Sequence, residues 1–397
     1  MTATTEEAGV PDFLRMDQPV SSDLLNAEKT GSWHGWPTKE INPVTLKDNE
    51  DRMVRIRTPV MDLEGLITPT HLHYTVQHFA VPPVIETKDW RLQVFGAVKN
   101  PLTLNFDQLR RFPARSVRTV MECSGSDATY FEYFKGAGPR PSRTKEAMIL
   151  SASEWTGVPL AAVLQEAGLT AKSLYARAEG SDQGVPATAA SGTQPFYYDK
   201  GLPIQKALDP DTILAWAQNG QLLEHLHGAP VRLLVPGWSG NWSVKWLTKL
   251  EVTEHEPDCW YHYQFYYYGD APDDPNKELI TTIGVKSIIT QPNDDTETLP
   301  CGVHMIRGYA WSGAGAVVQV EVSVDGGDTW HAAHIEPPRE RFMWVRWSYR
   351  WDARRKGNYM LMSRATDEVG RVQSHEPRYN NMRKNFSAIV GYPVTVT

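Results

Sequence analysis

The sequence predicts an α+β chain in which a mixed α/β domain precedes an all-β sandwich. Three observations carry this. Short apolar strands such as Arg91–Phe95 and Ser116–Met121 alternate with helical windows up to about residue 270. After about residue 275 the texture turns almost wholly to strand, with Val317–Val324 alternating as positions do on a half-buried strand. Asp325-Gly326-Gly327-Asp328 then supplies hairpin chemistry ahead of Thr329-Trp330. These changes divide the chain into an N-terminal extension (1–65), a mixed domain (66–270) and a sandwich of roughly 120 residues (275–397).

Residues 1–60 are rich in Pro, Asp, Glu and Trp and show no sustained period, so they read as a wrapping extension. In the mixed domain, Pro159–Ala167 is a helical window with Ala161, Val163 and Leu164 on its inner face and Gly168 as its stop. Gly96-Ala97-Val98-Lys99-Asn100-Pro101 and Pro236-Gly237 punctuate loops.

A chain of 397 residues with 41% hydrophobic and 22% charged content can bury two or three ordinary globular cores. The net charge of −7 argues against a nucleic-acid partner. No run of about twenty apolar residues exists to cross a membrane. The start, Met1-Thr2-Ala3-Thr4-Thr5-Glu6-Glu7, lacks an apolar leader, so the expectation is a cytoplasmic protein, or a periplasmic one whose signal was removed.

The chain has three cysteines, and none has the CxxC spacing of a zinc ribbon, a dithiol centre or c-type haem. Cys123 stands where the apolar run Val120-Met121 gives way to Ser124-Gly125-Ser126, a strand end with no bulky neighbours. Taken alone it reads as a packed thiol rather than a ligand. His71, His73 and His78 cluster, and the first two share a strand face, yet no carboxylate or cysteine nearby completes a zinc shell. A hydrogen-bonding role is the expectation there. His225-Leu226-His227-Gly228-Ala229-Pro230-Val231-Arg232 and the following Gly240-Asn241-Trp242-Ser243-Val244-Lys245 set two cations and a hydroxyl around a Gly-rich turn. That suits a phosphate or other oxyanion, and equally a basic strand flanking a turn.

Three segments in order, Glu122-Cys123-Ser124-Gly125, His227-Gly228-Ala229-Pro230-Val231-Arg232 and Gly240-Asn241-Trp242-Ser243-Val244-Lys245-Trp246-Leu247, resemble the molybdopterin-binding domain of the sulfite oxidase family. Gly308-Tyr309-Ala310-Trp311-Ser312-Gly313 and Val322-Ser323-Val324-Asp325-Gly326-Gly327-Asp328-Thr329-Trp330 are similar to that family's C-terminal immunoglobulin-like dimerisation domain. The resemblance spans about residues 66–397, and Pro236-Gly237-Trp238 with Gly240-Asn241 is most similar to the bacterial sulfite and sulfane dehydrogenases.

The resemblance implies a molybdenum–molybdopterin cofactor with Cys123 as its one protein ligand to the metal, a soft thiolate suited to a high-valent centre. It implies that Gln77, His78, Asp182, His227, Arg232, Ser243 and Lys245 bind the cofactor, and that Tyr266, Lys135 and Arg383 serve the substrate. It implies oxidation of sulfite or a related small sulfur compound by oxo transfer from Mo(VI). Electrons would pass to an external acceptor, a cytochrome c-type protein or oxygen, since no haem-domain sequence is present. It also implies a homodimer formed through the sandwich. The alternatives are an oxyanion or sulfoxide reductase on the same fold, and a non-catalytic scaffold that has lost the cofactor.

Two positions depart from the family pattern. Val76 stands where an arginine is expected before Gln77-His78, and Ala128 stands where another is expected five positions after the cysteine. Each missing guanidinium removes charge-assisted contacts worth roughly 1.5–3 kcal/mol. These departures weigh against sulfite itself and leave open a larger, less charged or protein-conjugated sulfur substrate, with Arg118, Arg140 and Arg143 as candidate replacements for the missing arginines. Bland readings stand beside these: Lys135 as a solvated lysine, Arg383 as an interface ion pair, and Tyr261–Tyr268 as a packed aromatic belt.

Overall fold

Two sheets of short strands build the first half of the molecule, and a pair of sheets packed face to face builds the second. The structure is a computed structural model that describes residues 56–141, 148–186, 188–292 and 298–397, with a small pairing of Ser32–Trp33 and Trp36–Pro37. Most of the N-terminal extension, and Arg143, lie outside the described residues.

The first sheet runs in the order Leu102–Asn105, Arg91–Gly96, Leu247–Thr253, Tyr175–Gly184, Phe196–Pro203. Its pairs are antiparallel except Leu247–Thr253 against Arg91–Gly96. Strand alternation places Ala176, Ala178, Gly180 and Asp182 on one buried face, so the same line that fills the core delivers Asp182 to its rim. The second sheet is wholly antiparallel: Gln221–Leu222, Ile213–Gln218, Leu150–Pro159, Arg115–Glu122, with Arg232–Leu234 also against Ile213–Gln218. The strand Arg115–Glu122 ends one residue before Cys123.

Helices are short. The expected one spans Leu160–Ala167 and ends at Gly168 with φ 73°, a left-handed stop that glycine accepts without strain. Its buried face is Leu160, Val163, Leu164 and Ala167, the i, i+3, i+4, i+7 set, whereas Ala161 is only half-buried on the flank.

The sandwich packs Lys286–Gln291, Gly302–Trp311, Val345–Ala353 and His334–Ile335 against Thr298–Leu299, Tyr392–Val396, Gly357–Asp367, Val317–Ser323 and His331–Ala332. The alternation expected at Val317–Val324 is interrupted by an irregular register between Val317 and Gln319, which turns Val318 outward while Val320 and Val322 stay inside. Gly326 and Gly327, at φ 77° and 101°, make the expected turn. Two apolar contacts join the halves. Val120, Leu150 and Ala152 meet Ile283, Ile288, Trp311 and Trp344 in one cluster. The helix Tyr130–Phe134, just past Cys123, sends Tyr130 and Phe131 into the sandwich core, with ring centres 5.3 and 5.4 Å from Phe386.

Candidate functional site

A cavity of about 550 Å³, its open mouth included, lies between the two sheets of the first domain. Its walls include Gln77, His78, Cys123, Asp182, His227, Arg232, Ser243 and Lys245, so residues spread from position 77 to position 245 converge on one space. Cys123 is half-exposed, in contrast to buried Cys259 and exposed Cys301. Its own N–H bonds the Ile149 carbonyl at 3.0 Å, and the Gly125 N–H points at its Sγ from 3.5 Å. The thiol is thus held at the end of a strand with its sulfur facing the cavity.

Two cations tie the opposite wall together. Arg232 donates from Nη1 to the His227 carbonyl at 2.9 Å and from Nη2 to the Ser243 carbonyl at 3.0 Å, with its guanidinium 4.9 Å from the Trp155 ring centre. Lys245 Nζ donates to Thr75 Oγ1, the Val76 carbonyl and the Leu226 carbonyl at 3.2–3.3 Å. Ser243 Oγ accepts the Val235 N–H at 3.0 Å. Burial pushes the Lys245 ammonium down to about 7, aided by the Arg232 charge, while Asp182 opposes the drop. Burial likewise lifts Asp182 to about 7 against the pull of Lys245. His73 and His227 pack edge to face at 5.2 Å, and burial beside the two cations holds both imidazoles neutral, His73 at about 3. These histidines are hydrogen-bonding groups: His73 Nδ1 pairs with the Tyr74 carbonyl at 2.9 Å and His227 Nε2 with the Thr70 carbonyl at 3.3 Å.

The walls carry polar atoms with nothing to bond. Both amide atoms of Gln77, Asp182 Oδ1, Arg232 Nε and Asn241 Nδ2 are buried and without a hydrogen-bond partner among the described residues. Each such atom costs ~1–3 kcal/mol unless a ligand satisfies it. Donors, acceptors, two cations and one thiol fit a polar heterocycle bearing an anionic group and a metal-bound sulfur edge. Glycines keep the space open: a Cβ on Gly240 would stand 2.2 Å from Tyr74 Oη, and one on Gly228 would stand 2.9 Å from Lys245 Cβ. Among the described residues no group of three or more His, Cys, Asp or Glu gathers, so a metal here must bring most of its ligands with it.

The three residues expected at the substrate are more dispersed. Tyr266 is buried, and its hydroxyl lies 2.6 Å from Nε2 of the cavity residue His78. Tyr267 faces inward, and Tyr268 bonds Asn385 Nδ2 at 2.6 Å, which separates the members of the tyrosine run. Arg383 turns outward to Glu132 at 3.5 Å, with its side chain 53% exposed. Lys135 sits with Nζ 5.7 Å from the Tyr379 ring centre. Neither forms part of the cavity wall. The neighbouring Lys384 comes closer: a Cβ on Gly125 would lie 3.7 Å from its Nζ and 3.9 Å from Cys123 Sγ. Lys384 Nζ also faces Phe265 at 4.4 Å and Tyr266 at 5.8 Å. Val76 lines the cavity as an apolar residue. Arg118 pairs with Glu340, and Arg140 lies 5.8 Å from the Tyr392 ring centre, so neither fills the place of a missing arginine.

Two buried lysines were not foreseen. Lys200 Nζ, fully buried and without a hydrogen-bond partner among the described residues, stands 4.6, 4.9 and 6.0 Å from the rings of Tyr266, Trp242 and Tyr198. Lys286 pairs with Glu122 and Asp127 on either side of Cys123. Charge in a sequence signals surface by default, and nothing local marked these two as interior.

Comparison with known proteins agrees with this geometry. Residues 78–261 match the oxidoreductase molybdopterin binding domain, and residues 277–389 match the Mo-co oxidoreductase dimerisation domain. The chain is 33% identical over 364 residues to nitrate reductase [NADH] 2 of Phaseolus vulgaris, covering 83% of this chain and 39% of that protein. It is 34% identical over 324 residues to mitochondrial sulfite oxidase of Homo sapiens, covering 76% of this chain and 56% of that protein. The chain therefore spans about half or less of the length of these relatives. The crystal structure of the sulfane dehydrogenase SoxCD from Paracoccus pantotrophus superposes with a TM-score of 0.76 and 26% identity, over 98% of this chain and 93% of that one. The fold, the converging polar cavity and both matched domains place the chain in the sulfite oxidase family of molybdopterin-dependent oxidoreductases.

Proposed function

We propose that the chain oxidises a sulfur-centred substrate and passes the electrons to a separate acceptor, as a homodimer joined through the sandwich. One observation carries the reading: the Cys123 thiol and the unpaired atoms of Gln77, Asp182, Arg232 and Asn241 meet in a single cavity. When bound, molybdenum–molybdopterin supplies two-electron oxygen-atom transfer, with Cys123 as the protein ligand to the metal.

The residues of the chain then divide the remaining work. Asp182 Oδ1 and the Gln77 amide would take up ring donors and acceptors of the pterin, and Arg232 and Lys245 would hold its anionic group. An anion beside Lys245 favours its ammonium form, so loading the cofactor reverses part of the effect of burial. His78 Nε2 and Tyr266 Oη hydrogen-bond at 2.6 Å at the edge of the cavity. Lys384 offers a positive charge beside the Cys123 loop, framed by Phe265 and Tyr266. A cation set against aromatic rings suits an anionic sulfur compound with an apolar body.

The test compares sulfite, thiosulfate and an organic sulfinate as reductants of ferricyanide by molybdenum-loaded protein. Turnover faster with the sulfinate supports the reading, and turnover with none of the three overturns it. A second reading, nitrate reduction, is favoured by the likeness to nitrate reductase. Nitrate-dependent oxidation of a reduced viologen dye, without sulfur turnover, selects it. Folded protein that takes up no molybdenum selects a scaffold.

A further inference from the structure

We propose that Lys286, a residue of the sandwich, is a positioning residue for the Cys123 loop and decides whether the first domain retains its cofactor. The inference rests on the reading that Cys123 ligates the metal. The loop is bracketed by two carboxylates, Glu122 immediately before the cysteine and Asp127 four residues after it. Lys286 Nζ donates to Glu122 Oε1 at 2.7 Å and to Asp127 Oδ2 at 2.7 Å. Trp311 Nε1 donates to the other oxygen, Glu122 Oε2, at 2.8 Å. Lys286 and Trp311 face each other across one rung of the sandwich sheet, so both donors come from a single rigid place.

The setting makes this a clamp rather than a surface contact. The side chains of Lys286, Glu122 and Asp127 are 3%, 6% and 9% exposed. One ammonium serves two carboxylates, and without it two like charges would face each other in a dry interior. Asp127 also holds φ at 58°, in the left-handed region, a local shape that sets the direction of the loop. The tail adds a further tie, the Asn385 N–H to the Ser124 carbonyl at 2.7 Å. Ser124 Oγ bonds Ser239 and, at 3.1 Å, Asn241 Oδ1, which joins the loop to the far wall of the cavity. Cys123 therefore hangs between two domains, and its sulfur stands where the sandwich puts it. In metal sites the partners that orient a ligand commonly govern affinity by about 10–100-fold.

The experiment uses the full chain with Cys301→Ser, which removes the exposed competing thiol. Molybdenum per chain is measured after growth with molybdate, and the alkylation rate of Cys123 by iodoacetamide is measured on protein from molybdate-starved cells. Lys286→Met should lower molybdenum content and change the alkylation rate, each by about tenfold. Asp127→Asn, which leaves the Glu122 pair intact, should move both in the same direction by a smaller factor. Val320→Ala, a cavity in the sandwich core on a strand that makes none of the loop's hydrogen bonds, should lose stability while keeping both readouts. Wild-type molybdenum content and alkylation in folded Lys286→Met overturn the proposal, as does an equal loss in Val320→Ala. Should Lys286→Met not fold, unchanged readouts in Asp127→Asn overturn it instead. Cys123→Ser that keeps full molybdenum defeats the ligand reading separately, whatever Lys286 does.

Discussion

The hydroxyl of Tyr266 stands 2.6 Å from Nε2 of His78, whose ring stacks at 4.8 Å on Tyr198. The contact links the aromatic run at 261–268 to the cavity wall; Tyr261 also packs on the His78 ring, at 4.3 Å, but the hydroxyl bonded to His78 Nε2 is that of Tyr266. Tyr266→Phe keeps the ring and removes the proton. It should lower kcat by about 10²-fold, within the range of general acid–base effects, with molybdenum content unchanged. Steady-state turnover normalised to metal checks this.

Lys200 lies behind that pair and costs stability. Burial depresses its ammonium from 10.5 to about 7, with Cys259 and Asp199 opposing. The folded state therefore binds fewer protons than the unfolded state between pH 7 and pH 10.5, and the lysine's penalty shrinks as pH rises through that window. Below about pH 7 the whole penalty applies, up to ~5 kcal/mol. Lys200→Met should stabilise the protein most near pH 7 and progressively less towards pH 10. Urea unfolding at several pH values checks this, and a mutant advantage that grows with pH contradicts it.

Gly240 lets the backbone approach Tyr74. A Cβ there would stand 2.2 Å from Tyr74 Oη and 3.1 Å from Met121 Cγ, both in the cavity wall. Gly240→Ala should destabilise the fold by ~1–3 kcal/mol and reduce molybdenum content. Thermal unfolding and metal analysis of the same preparation check it.

Beside the Cys123 loop, Lys384 rather than Arg383 should matter to an anionic substrate. Lys384→Ala should raise KM about tenfold, equivalent to ~1.4 kcal/mol, with a smaller effect on kcat. Arg383→Ala breaks an exposed pair with Glu132 worth at most ~1 kcal/mol and should leave both constants within about twofold.

Part of the cavity wall was legible in the sequence because short motifs carry it, from Cys123 in its small-residue loop to Ser243 and Lys245 after the Gly-rich turn, whereas Tyr74 and Tyr198 join it from segments that carry no such motif. Convergence of those motifs is a property of two sheets and shows only in three dimensions. The mouth was less legible. Arg383 takes φ 52°, a left-handed kink, and pairs with Glu132 while Lys384 turns to the Cys123 loop, a difference of one residue that the sequence does not reveal. The interior lysines were hidden for another reason. The cage around Lys200 draws on Tyr198, Trp242 and Tyr266, and the partners of Lys286 lie some 160 residues away in the chain, 164 for Glu122 and 159 for Asp127.

Everything proposed for this cavity depends on its holding molybdenum–molybdopterin through Cys123. The most direct test is metal and released-pterin stoichiometry of purified wild-type protein and Cys123→Ser from a molybdate-fed host. Near one molybdenum and one pterin per wild-type chain are expected, with metal lost from a folded Cys123→Ser. Wild-type protein that folds without molybdenum, or a Cys123→Ser that keeps it in full, rules out a cofactor held by this thiol.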